Sequence, residues 1–288
     1  MILITGASGR VGRRAAELLA AGGQRLRLMT RSPERAPRLA GAETVRGDFG
    51  EPDTLREAFA GVSAALVISG SGVPGERAAL HRNAFQAAAR AGVGHVVYLS
   101  LEGAGNDSKY PFSRDHYLSE QYLLAAGVPY TVLRNAFYID MFLELFDAAG
   151  VMRGPAQQGR GAFVSREDAA ATAAAAVREQ PGGTYDVTGP EALTLAEIAG
   201  RLSALVGRKL RYETESADEA RERLNRLEPL AWRVDLSVGW FEAIAAGELE
   251  RTSDSVRRFT GSVPMSLEDY FRAFPGLLRA LGNAPTNH

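Results

Sequence analysis

Short apolar runs alternate with amphipathic segments over the first half of the chain. Six such runs predict buried strands: Met1–Thr5, Arg25–Thr30, Glu43–Arg46, Ala64–Ser69, His95–Ser100 and Tyr130–Arg134. The segments between them predict helices over Val11–Ala21, Glu34–Leu39, Asp53–Ala60, Glu76–Ala91 and Arg114–Ala126. The strands are continuously apolar rather than alternating, which indicates a sheet covered by helices on both faces. Repeated strand–helix units of this length predict an α/β fold with a doubly wound parallel sheet.

Beyond about residue 150 the alternation is less regular. The segment Gly150–Gly161 is rich in glycine and polar residues, which predicts a loop. Thr194 and Glu197 have the spacing of a capping box and predict a helix to about Val206. The other predicted elements are helices over Glu167–Val177, Ala217–Arg226 and Ser266–Leu281 and strands over Thr184–Val187 and Lys209–Glu213. We therefore expect an N-terminal α/β domain, residues 1–150, and a smaller α/β region, residues 151–288, partly interleaved with it and capping one end of the sheet.

Composition and charge narrow the class of protein. Hydrophobic residues make up 45% and charged residues 23% of the 288 residues, which is typical of a folded globular chain. The 33 basic and 34 acidic side chains leave a net charge of −1, so nucleic acid is not expected as a direct partner. The absence of cysteine excludes disulfides, thiolate metal sites and a catalytic thiol. Histidines and carboxylates show no metal-binding spacing, so no metal site is predicted.

The first residues bear on location. Met1–Thr5 already has the pattern of a buried strand, which leaves no space for the charged and apolar regions of a secretory signal. Nowhere does an apolar run approach the roughly 18 residues that a membrane span needs. We therefore expect a cytoplasmic protein without a membrane partner.

A glycine-rich segment follows the first strand directly and opens the first helix. Glycines in this position allow a tight turn, close approach of the backbone to a pyrophosphate and close packing of helix on strand. The helix N-terminus adds free N–H groups and the positive end of its dipole. The residues predicted to bind the phosphates are Gly6, Ser8, Gly9, Arg10, Val11 and Gly12. The alternative is an ordinary glycine-rich turn between a strand and a helix.

The end of the second strand indicates which dinucleotide is bound. Proteins that bind NAD in this way place an acidic residue here, which bonds the ribose 2′-hydroxyl. This chain has Arg31 instead, and a guanidinium can pair with a 2′-phosphate through two parallel hydrogen bonds. The sequence therefore favours NADP(H). In the alternative, Arg31 is a solvated loop residue and NAD is held through other contacts.

Two further pairs of residues lie at the carboxyl ends of predicted strands, the side on which such sheets bind ligands. Asp48 and Phe49 follow the third strand, and Ser69 and Gly70 close the fourth. All four are predicted to contact the cofactor, and Asp48 has the chemistry to bond the adenine amine. The alternative for Asp48 is a turn or helix-capping aspartate.

These segments resemble a known family. Thr5–Gly12 (TGASGRVG), Thr30–Ala36 (TRSPERA) and Gly47–Gly61 (GDFGEPDTLREAFAG) are similar to atypical short-chain dehydrogenases/reductases, in particular to their NmrA-like branch. His116–Tyr138 (HYLSEQYLLAAGVPYTVLRNAFY) resembles the type 2 NADPH quinone oxidoreductases of that branch. The resemblance covers about residues 1–200. It implies a Rossmann-type NADP(H)-binding domain and a small, variable C-terminal domain that forms the substrate cleft.

The catalytic pair of that superfamily, Tyr-x-x-x-Lys on the helix after the fifth strand, is broken in this chain. Glu120 and Arg134 favour a register in which Phe112 stands at the tyrosine position and His116 at the lysine position. The serine that accompanies the pair is present as Ser100. Phenylalanine has no proton to donate, so reduction of an ordinary ketone by that route is disfavoured. A quinone is less demanding, because it is electron-poor and its product is a stabilised phenolate.

Other polar side chains are candidates for the missing donor. His116 is preferred, because it can donate a proton or bond the nicotinamide ribose; the alternative is a packed histidine on a helix face. Tyr117 is its neighbour but points about 100° away around the helix. Asn135 and Tyr138 are predicted at the cleft mouth, where they can bind a carbonyl or the carboxamide. Trp232 is interpreted as a core residue.

Functions from different classes fit these features. The first is NADPH-dependent reduction of a small molecule, a quinone or a similarly flat, electron-poor carbonyl. The second is a catalytically silent NmrA-like protein that senses NADP(H) and regulates a partner. A reductase needs a cleft with aromatic walls, and a sensor needs a partner surface that the sequence does not reveal. A third function, an isomerase or epimerase with a tightly held cofactor, lacks the tyrosine and lysine it needs. An oligomer is compatible with each.

Overall fold

The computed structural model describes residues 1–70 and 72–282. The strands are β1 (Ile2–Ile4), β2 (Leu26–Thr30), β3 (Ala42–Arg46), β4 (Ala64–Ile68), β5 (His95–Leu101), β6 (Tyr130–Asn135), β7 (Val151–Gly154), β8 (Arg160–Gly161), β9 (Gly183–Val187), β10 (Leu193–Thr194) and β11 (Arg211–Thr214). The α-helices are α1 (Arg10–Ala21), α2 (Pro52–Phe59), α3 (Arg77–Arg90), α4 (Pro111–Ala125), α5 (Arg166–Glu179), α6 (Leu195–Val206), α7 (Ala217–Asn225), α8 (Ala231–Ala245), α9 (Ser255–Thr260), α10 (Leu267–Ala273) and α11 (Arg279–Gly282). Within these residues no helix is long and apolar enough to cross a membrane.

A seven-stranded sheet in the order β3-β2-β1-β4-β5-β6-β9 forms the centre of the fold, and its strands are parallel. The predicted doubly wound parallel sheet of the Rossmann type is thereby confirmed. The strand order reverses at β1, whose residues Ile2–Ile4 pair with β2 on one side and β4 on the other. Such sheets bind ligands beyond the carboxyl ends of the strands, beside this reversal. The loops after β1, β2 and β4 therefore locate the candidate site.

Helices cover both faces of the sheet. On one face α1 and α5 meet through small side chains, and Ala15 and Ala173 are completely buried. On the other face α2, α3 and α4 pack on the sheet through larger side chains. Phe85 of α3, Tyr98 of β5 and Leu123 of α4 are also completely buried there. Because each strand points apolar side chains to both faces, the strands appear in the sequence as continuous apolar runs.

A second core lies beyond the carboxyl edge of the sheet. It combines residues of the 3₁₀ turn Ile139–Glu144 with residues of α6, α8 and α10, and Phe142, Phe163 and Trp240 are at its centre. Helix α8 also lies against the start of α4, since a Cβ atom on Gly239 would come within 2.7 Å of the Lys109 carbonyl oxygen. The C-terminal helices are thereby placed beside the loops at the sheet edge.

The helix predicted over Glu34–Leu39 is wrong. Only a 3₁₀ turn forms there, at Pro33–Arg35. Ala36 precedes Pro37 and has ψ of 148°, which is extended backbone. A residue before proline avoids the helical region because the proline ring collides with its backbone, so the helix cannot continue.

Two predictions in the C-terminal region are also wrong. The expected loop at Gly150–Gly161 contains β7 and β8, which pair with the distant strands β11 and β10. The helix expected over Ser266–Leu281 is divided into α10, a 3₁₀ turn at Pro275–Leu278 and α11. Pro275 lacks the N–H group that a continuous helix needs.

Helices α8 and α9 were not predicted. In α8 the buried residues Gly239, Trp240 and Phe241 are consecutive and point about 100° apart around the helix, so the sequence has no single apolar stripe. Helix α9 has only six residues, too few for a periodic signal. Both helices are packed against other elements, which is information that the local pattern does not contain.

Candidate functional site

The loop between β1 and α1 has the geometry for which its glycines are needed. Gly6 has φ of +60°, in the left-handed region that other residues rarely adopt. A Cβ atom on Gly12 would lie 2.5 Å from the carbonyl oxygen of Gly6 and 3.0 Å from Cδ1 of Ile68. The first turn of α1 therefore packs directly on the loop, and any side chain at Gly12 would force the two apart.

The start of α1 has the features of an anion-binding site. Gly9 is the N-cap and has no side chain with which to cap the free N–H groups, and the first turn contains no acidic residue. The positive end of the helix dipole is therefore left without a negative partner from its own first turn. A dinucleotide pyrophosphate fits this position, because it is anionic, accepts hydrogen bonds and needs the close approach that glycine permits.

A cleft of about 290 Å³ lies at the carboxyl ends of β1 to β4, and we call it the glycine cleft. Eight predicted cofactor residues line it: Gly6, Ser8, Gly9, Arg31, Asp48, Phe49, Ser69 and Gly70. The other three, Arg10, Val11 and Gly12, form the adjoining first turn of α1. The lining residues that sequence reasoning missed are Met29, Thr30, Gly47, Ile68 and Leu80. Four of them end or follow a strand, which was a usable signal, whereas Leu80 is brought in by α3.

The most distinctive side chains of the glycine cleft are Arg31 and Asp48. Arg31 is exposed and directly follows β2. The hydroxyl oxygens of Ser8 and Thr30 lie 3.1 Å apart and link the loop to β2 beside it. Asp48 accepts a hydrogen bond from the N–H of Gly50 at 2.8 Å, as a turn aspartate does, while it also lines the cleft. The contacts of Asp48 thus accommodate both interpretations made from the sequence.

A second cleft, of about 720 Å³, lies between the sheet edge and the C-terminal helices, and we call it the aromatic cleft. One wall consists of Gly70, Gly72, Val73, Arg77 and Phe112. The other wall consists of Leu224, Glu228, Trp232, Arg233, Val234, Leu236 and Ser237. Trp232 thus lines a cleft, and its interpretation as a core residue is wrong. Because Gly70 lines both clefts, they meet at the carboxyl end of β4.

The peptide group at this meeting point is held by two buried side chains. The N–H of Gly70 donates to Nε2 of His81 at 3.1 Å, and its carbonyl oxygen accepts from Nε of Arg77 at 2.9 Å. Burial lowers the pKa of His81 to about 3, so its ring is neutral. Because Nε2 accepts, Nδ1 carries the proton and donates to the hydroxyl of Ser119 at 2.8 Å.

His116 lies beside this pair and is 4% exposed. Its Nδ1 is 2.8 Å from the hydroxyl of Tyr98, and its Nε2 is 3.5 Å from Nη2 of Arg77. Burial lowers the pKa of His116 well below the usual value, and the charge of Arg77 lowers it further. A neutral imidazole with these contacts can position Tyr98 and Arg77. Proton donation by His116 stays a prediction.

Ser100 is part of a buried ionic cluster. Its hydroxyl donates to Oε1 of Glu120 at 2.6 Å. Arg134 bonds both oxygens of the same carboxylate, at 3.0 and 2.6 Å, and its hydrogen bond to Glu120 raises its pKa. The cluster ties β5 and β6 to α4. The hydroxyl proton of Ser100 is engaged within it.

Asn135 is the last residue of β6, and Tyr138 lies three residues beyond it. Neither is among the residues that line the glycine cleft or the aromatic cleft, so their predicted place at the cleft mouth is not confirmed. Nδ2 of Asn135 donates to the Tyr138 hydroxyl at 3.3 Å, and its Oδ1 is buried without a hydrogen-bond partner in the described part of the chain. The guanidinium of Arg166 lies 4.2 Å from the centre of the Tyr138 ring and bonds Asp140 at 2.7 Å. Arg10 pairs with the same Asp140 carboxylate. This cluster connects the first turn of α1 to the segment after β6.

Glu102, directly after β5, is a buried carboxyl that sequence reasoning missed. It is 3% exposed, and its Oε1 has no hydrogen-bond partner among residues 1–70 and 72–282. Burial raises the pKa of Glu102 to about 9, and the charge of Asp186 raises it further. The side chain is therefore an uncharged acid at neutral pH. Its position in a polar turn contained no sign of burial.

The N-terminal region matches a known family. Residues 6–180 fit the family described as NAD(P)H-binding. Quinone oxidoreductase 2 of Escherichia coli is 36% identical over 225 residues, which are 75% of this chain and 78% of that protein. These matches agree with the glycine loop and with the cleft at the carboxyl edge of the sheet.

Solved structures confirm the fold. An NADPH-dependent quinone oxidoreductase from Escherichia coli, crystallised with NADPH, superposes with a TM-score of 0.88 at 30% identity, over 95% of this chain and 99% of that one. The negative transcriptional regulator NmrA superposes with a TM-score of 0.77 over 98% of both chains, and at 16% identity this likeness concerns the fold alone. The chain therefore belongs to the NAD(P)H-binding family, and its cofactor is NAD(P)H.

Proposed function

We propose that the protein is an NADPH-dependent reductase whose acceptor is a quinone or a similarly flat, electron-poor carbonyl compound. The observation that carries this proposal is the meeting of the two clefts at Gly70. A cleft that fits a dinucleotide opens there beside one with aromatic and apolar walls, so a hydride donor and a flat acceptor can lie side by side. The identity to quinone oxidoreductase 2 supports the same assignment.

In this proposal the glycine cleft binds the cofactor. The glycine loop and the start of α1 bind the pyrophosphate, and Arg31 pairs with the 2′-phosphate. Asp48 bonds the adenine amine, and Phe49, Ser69 and Gly70 complete the wall. Bound NADPH supplies a hydride to the acceptor. The role of the protein's own residues is to orient the two molecules and to exclude water.

The acceptor side lacks the acid that ketone reduction needs. Phe112 lines the aromatic cleft at the position of the superfamily's tyrosine and has no proton to donate. A quinone tolerates this, because its product oxygen is a stabilised phenolate. Asn135 and Tyr138 are our candidates for orienting a carbonyl or the carboxamide. The Oδ1 atom of Asn135, which has no hydrogen-bond partner among the described residues, supports this. Ser100 and His116 support the site from the interior.

The second candidate function is NADP(H) sensing without catalysis. The likeness to NmrA at the level of the fold favours it, but a sensor has no need of an apolar cleft beside its cofactor. We therefore rank the reductase first. A small-molecule acceptor and a cytoplasmic location belong to the same proposal.

The proposal is tested by NADPH binding and then by NADPH oxidation with a panel of acceptors. We expect turnover with 1,4-benzoquinone and 1,4-naphthoquinone and little or none with cyclohexanone. Tight NADPH binding without turnover of either quinone would favour the sensor. Efficient reduction of cyclohexanone would contradict the register of Phe112 and His116, and Tyr117 would then be the acid to replace.

A further inference from the structure

Arg77, the first residue of α3, is a cation that is 6% exposed although it lines the aromatic cleft. Nε donates to the Gly70 carbonyl, and Nη2 is 3.5 Å from Nε2 of His116. The guanidinium carbon lies 3.9 Å from the centre of the Phe112 ring. Nη1 is buried and has no hydrogen-bond partner among the residues that the structure describes. A strong donor at the cleft is therefore unsatisfied.

The charge of Arg77 is poorly compensated as well. The polar groups that face it from β5 and from the start of α4 are Tyr98, Tyr110, Asp115 and His116. The carboxylate of Asp115 is bonded to the N–H of Gly75 instead, at 2.9 and 3.1 Å. Burial lowers the pKa of Arg77, yet a guanidinium remains protonated at neutral pH. A buried cation in this state is costly, and a ligand that brings negative charge reduces that cost.

The rest of the aromatic cleft suits a flat, weakly polar ring. Phe112 and Val73 lie on the side of Arg77, and Trp232 and Leu236 lie on the other. The volume of about 720 Å³ is within the range of small-molecule sites. An aromatic acceptor can bury its ring between these walls, while only its oxygen atoms require polar partners.

We propose that Arg77 is a catalytic residue that binds the acceptor oxygen on which negative charge develops, an inference that rests on the proposed reductase function. The nicotinamide C–H bond breaks and its hydrogen passes as hydride to one quinone oxygen, where an O–H bond forms. The ring becomes aromatic, and the other quinone oxygen becomes a phenolate. A proton from water then gives the hydroquinone, and NADP⁺ is left. Arg77 stabilises the phenolate as it forms, and this interaction is strong because the guanidinium itself is largely removed from water.

The surrounding contacts orient the guanidinium for this role. The Gly70 carbonyl fixes Nε, and the Phe112 ring lies against the face of the group. His116 is a positioning residue in this arrangement, because its ring lies between Arg77 and the Tyr98 hydroxyl. The phenylalanine at the superfamily's tyrosine position thereby has a function, since it packs against the cation that replaces the missing acid.

The kinetic test compares Arg77→Met with Arg82→Met. Arg82 lies on the same helix and also stacks on an aromatic ring, 5.5 Å from the centre of Tyr122, but it is exposed and outside the cleft. With 1,4-naphthoquinone, Arg77→Met should lower kcat by about 100-fold, as loss of one oxyanion donor does, with little change in the Kd of NADPH. Arg77→Lys keeps the charge and should recover part of the rate. A kcat for Arg77→Met equal to that of Arg82→Met would overturn the proposal.

A second measurement does not depend on turnover. The absorbance of 4-nitrophenol reports its ionisation, so its pKa can be measured when it is bound to the protein loaded with NADP⁺. Wild-type protein and Arg82→Met should lower that pKa by about one to two units, Arg77→Lys should retain most of the shift, and Arg77→Met should abolish it. If Arg77→Met does not fold, wild type and Arg77→Lys decide the question. Binding of the neutral phenol by wild type would overturn the role of Arg77, whereas this shift without quinone turnover would overturn only the reductase assignment.

Discussion

The two clefts that meet at Gly70 are built in different ways. The glycine cleft is lined by residues 6–80, mainly from loops that follow consecutive strands of one sheet. Much of its wall is backbone, exposed by glycines at the turn and at strand ends. The aromatic cleft is lined by residues between 70 and 237, and its character comes from side chains such as Arg77, Phe112 and Trp232.

Because of this difference, the two clefts differ in how selectively they recognise a ligand. Backbone N–H groups and a helix N-terminus can bind any pyrophosphate, and they require only that certain positions lack a side chain. The aromatic cleft selects its ligand through the size, polarity and charge of side chains that come from separate helices. Substitutions in the glycine cleft should therefore change how tightly the cofactor binds, and substitutions in the aromatic cleft should change which acceptor reacts.

The largest effect is expected where backbone forms the site. Gly9→Val places a branched side chain at the N-cap of α1, in the wall of the glycine cleft. We expect the Kd of NADPH to rise by about 1,000-fold, a loss of roughly 4 kcal/mol, because the side chain occupies the space that the pyrophosphate needs. Calorimetric titration measures the affinity, and circular dichroism checks the fold.

Gly200→Val is the matched control for Gly9→Val. Gly200 is an exposed helical glycine with open space around it, so the variant should bind NADPH like the wild type. If folded Gly9→Val retained its affinity for NADPH, the loop would not be the phosphate site. The glycine cleft would then not bind its ligand through backbone, and the proposed difference between the two clefts would be refuted.

An intermediate effect is expected at the buried acid that only the tertiary fold created. Between about pH 4.5 and pH 9, Glu102 holds a proton in the folded protein that it loses in the unfolded chain. The free energy of unfolding therefore falls as pH rises through this window. Glu102→Gln removes that dependence, so it should stabilise the protein by roughly 3 kcal/mol at pH 7 and by less than about 1 kcal/mol at pH 5.

Urea denaturation at several pH values measures this difference. Glu57→Gln changes an exposed carboxyl on α2 and serves as the control, with no comparable pH-dependent gain. A stabilisation by Glu102→Gln that was the same at pH 5 and pH 7 would show that Glu102 is not held as a neutral acid.

The smallest effect is expected at the edge of the glycine cleft. Arg31→Ala should reduce the preference for NADPH over NADH by about 10- to 100-fold, since a hydrogen bond between charged groups contributes roughly 1.5–3 kcal/mol. The Kd of NADH should hardly change, because NADH has no 2′-phosphate. Arg38→Ala removes an exposed arginine that is not part of the cleft wall and should leave both constants as they are. Equal affinities of wild type for NADPH and NADH would refute the role of Arg31.

Local features were predictable from the sequence where local chemistry decides the structure. The capping box at Thr194 and Glu197 is present, because both partners lie within one helical turn. Most predicted cofactor residues line the glycine cleft, because the carboxyl ends of parallel strands necessarily share one edge. Helix α8 escaped prediction, since its apolar residues are spread around its circumference and only its neighbours explain them.

The candidate acceptor site shows more clearly what could not be predicted from the sequence. In the sequence Arg77 is one arginine among many, and nothing near it in the chain distinguishes it from a solvated residue. Its burial follows from packing against Gly70, Phe112 and His116, which come from two other segments. His116 was singled out by register, but its burial and neutral state depend on Tyr98 in the sheet below it.

The sequence by itself determined the doubly wound sheet, the glycine loop and the dinucleotide chemistry at the carboxyl edge. Each of these rests on short-range rules, namely the periodicity of apolar residues, the conformational freedom of glycine and the donors at a helix N-terminus. The tertiary structure alone decided which ionisable groups lost contact with water, because burial depends on residues far apart in the chain. The poorly compensated charge of Arg77 and the neutral acid of Glu102 arise in this way, since desolvation changes the energy of a charged group far more than its neighbours in sequence do.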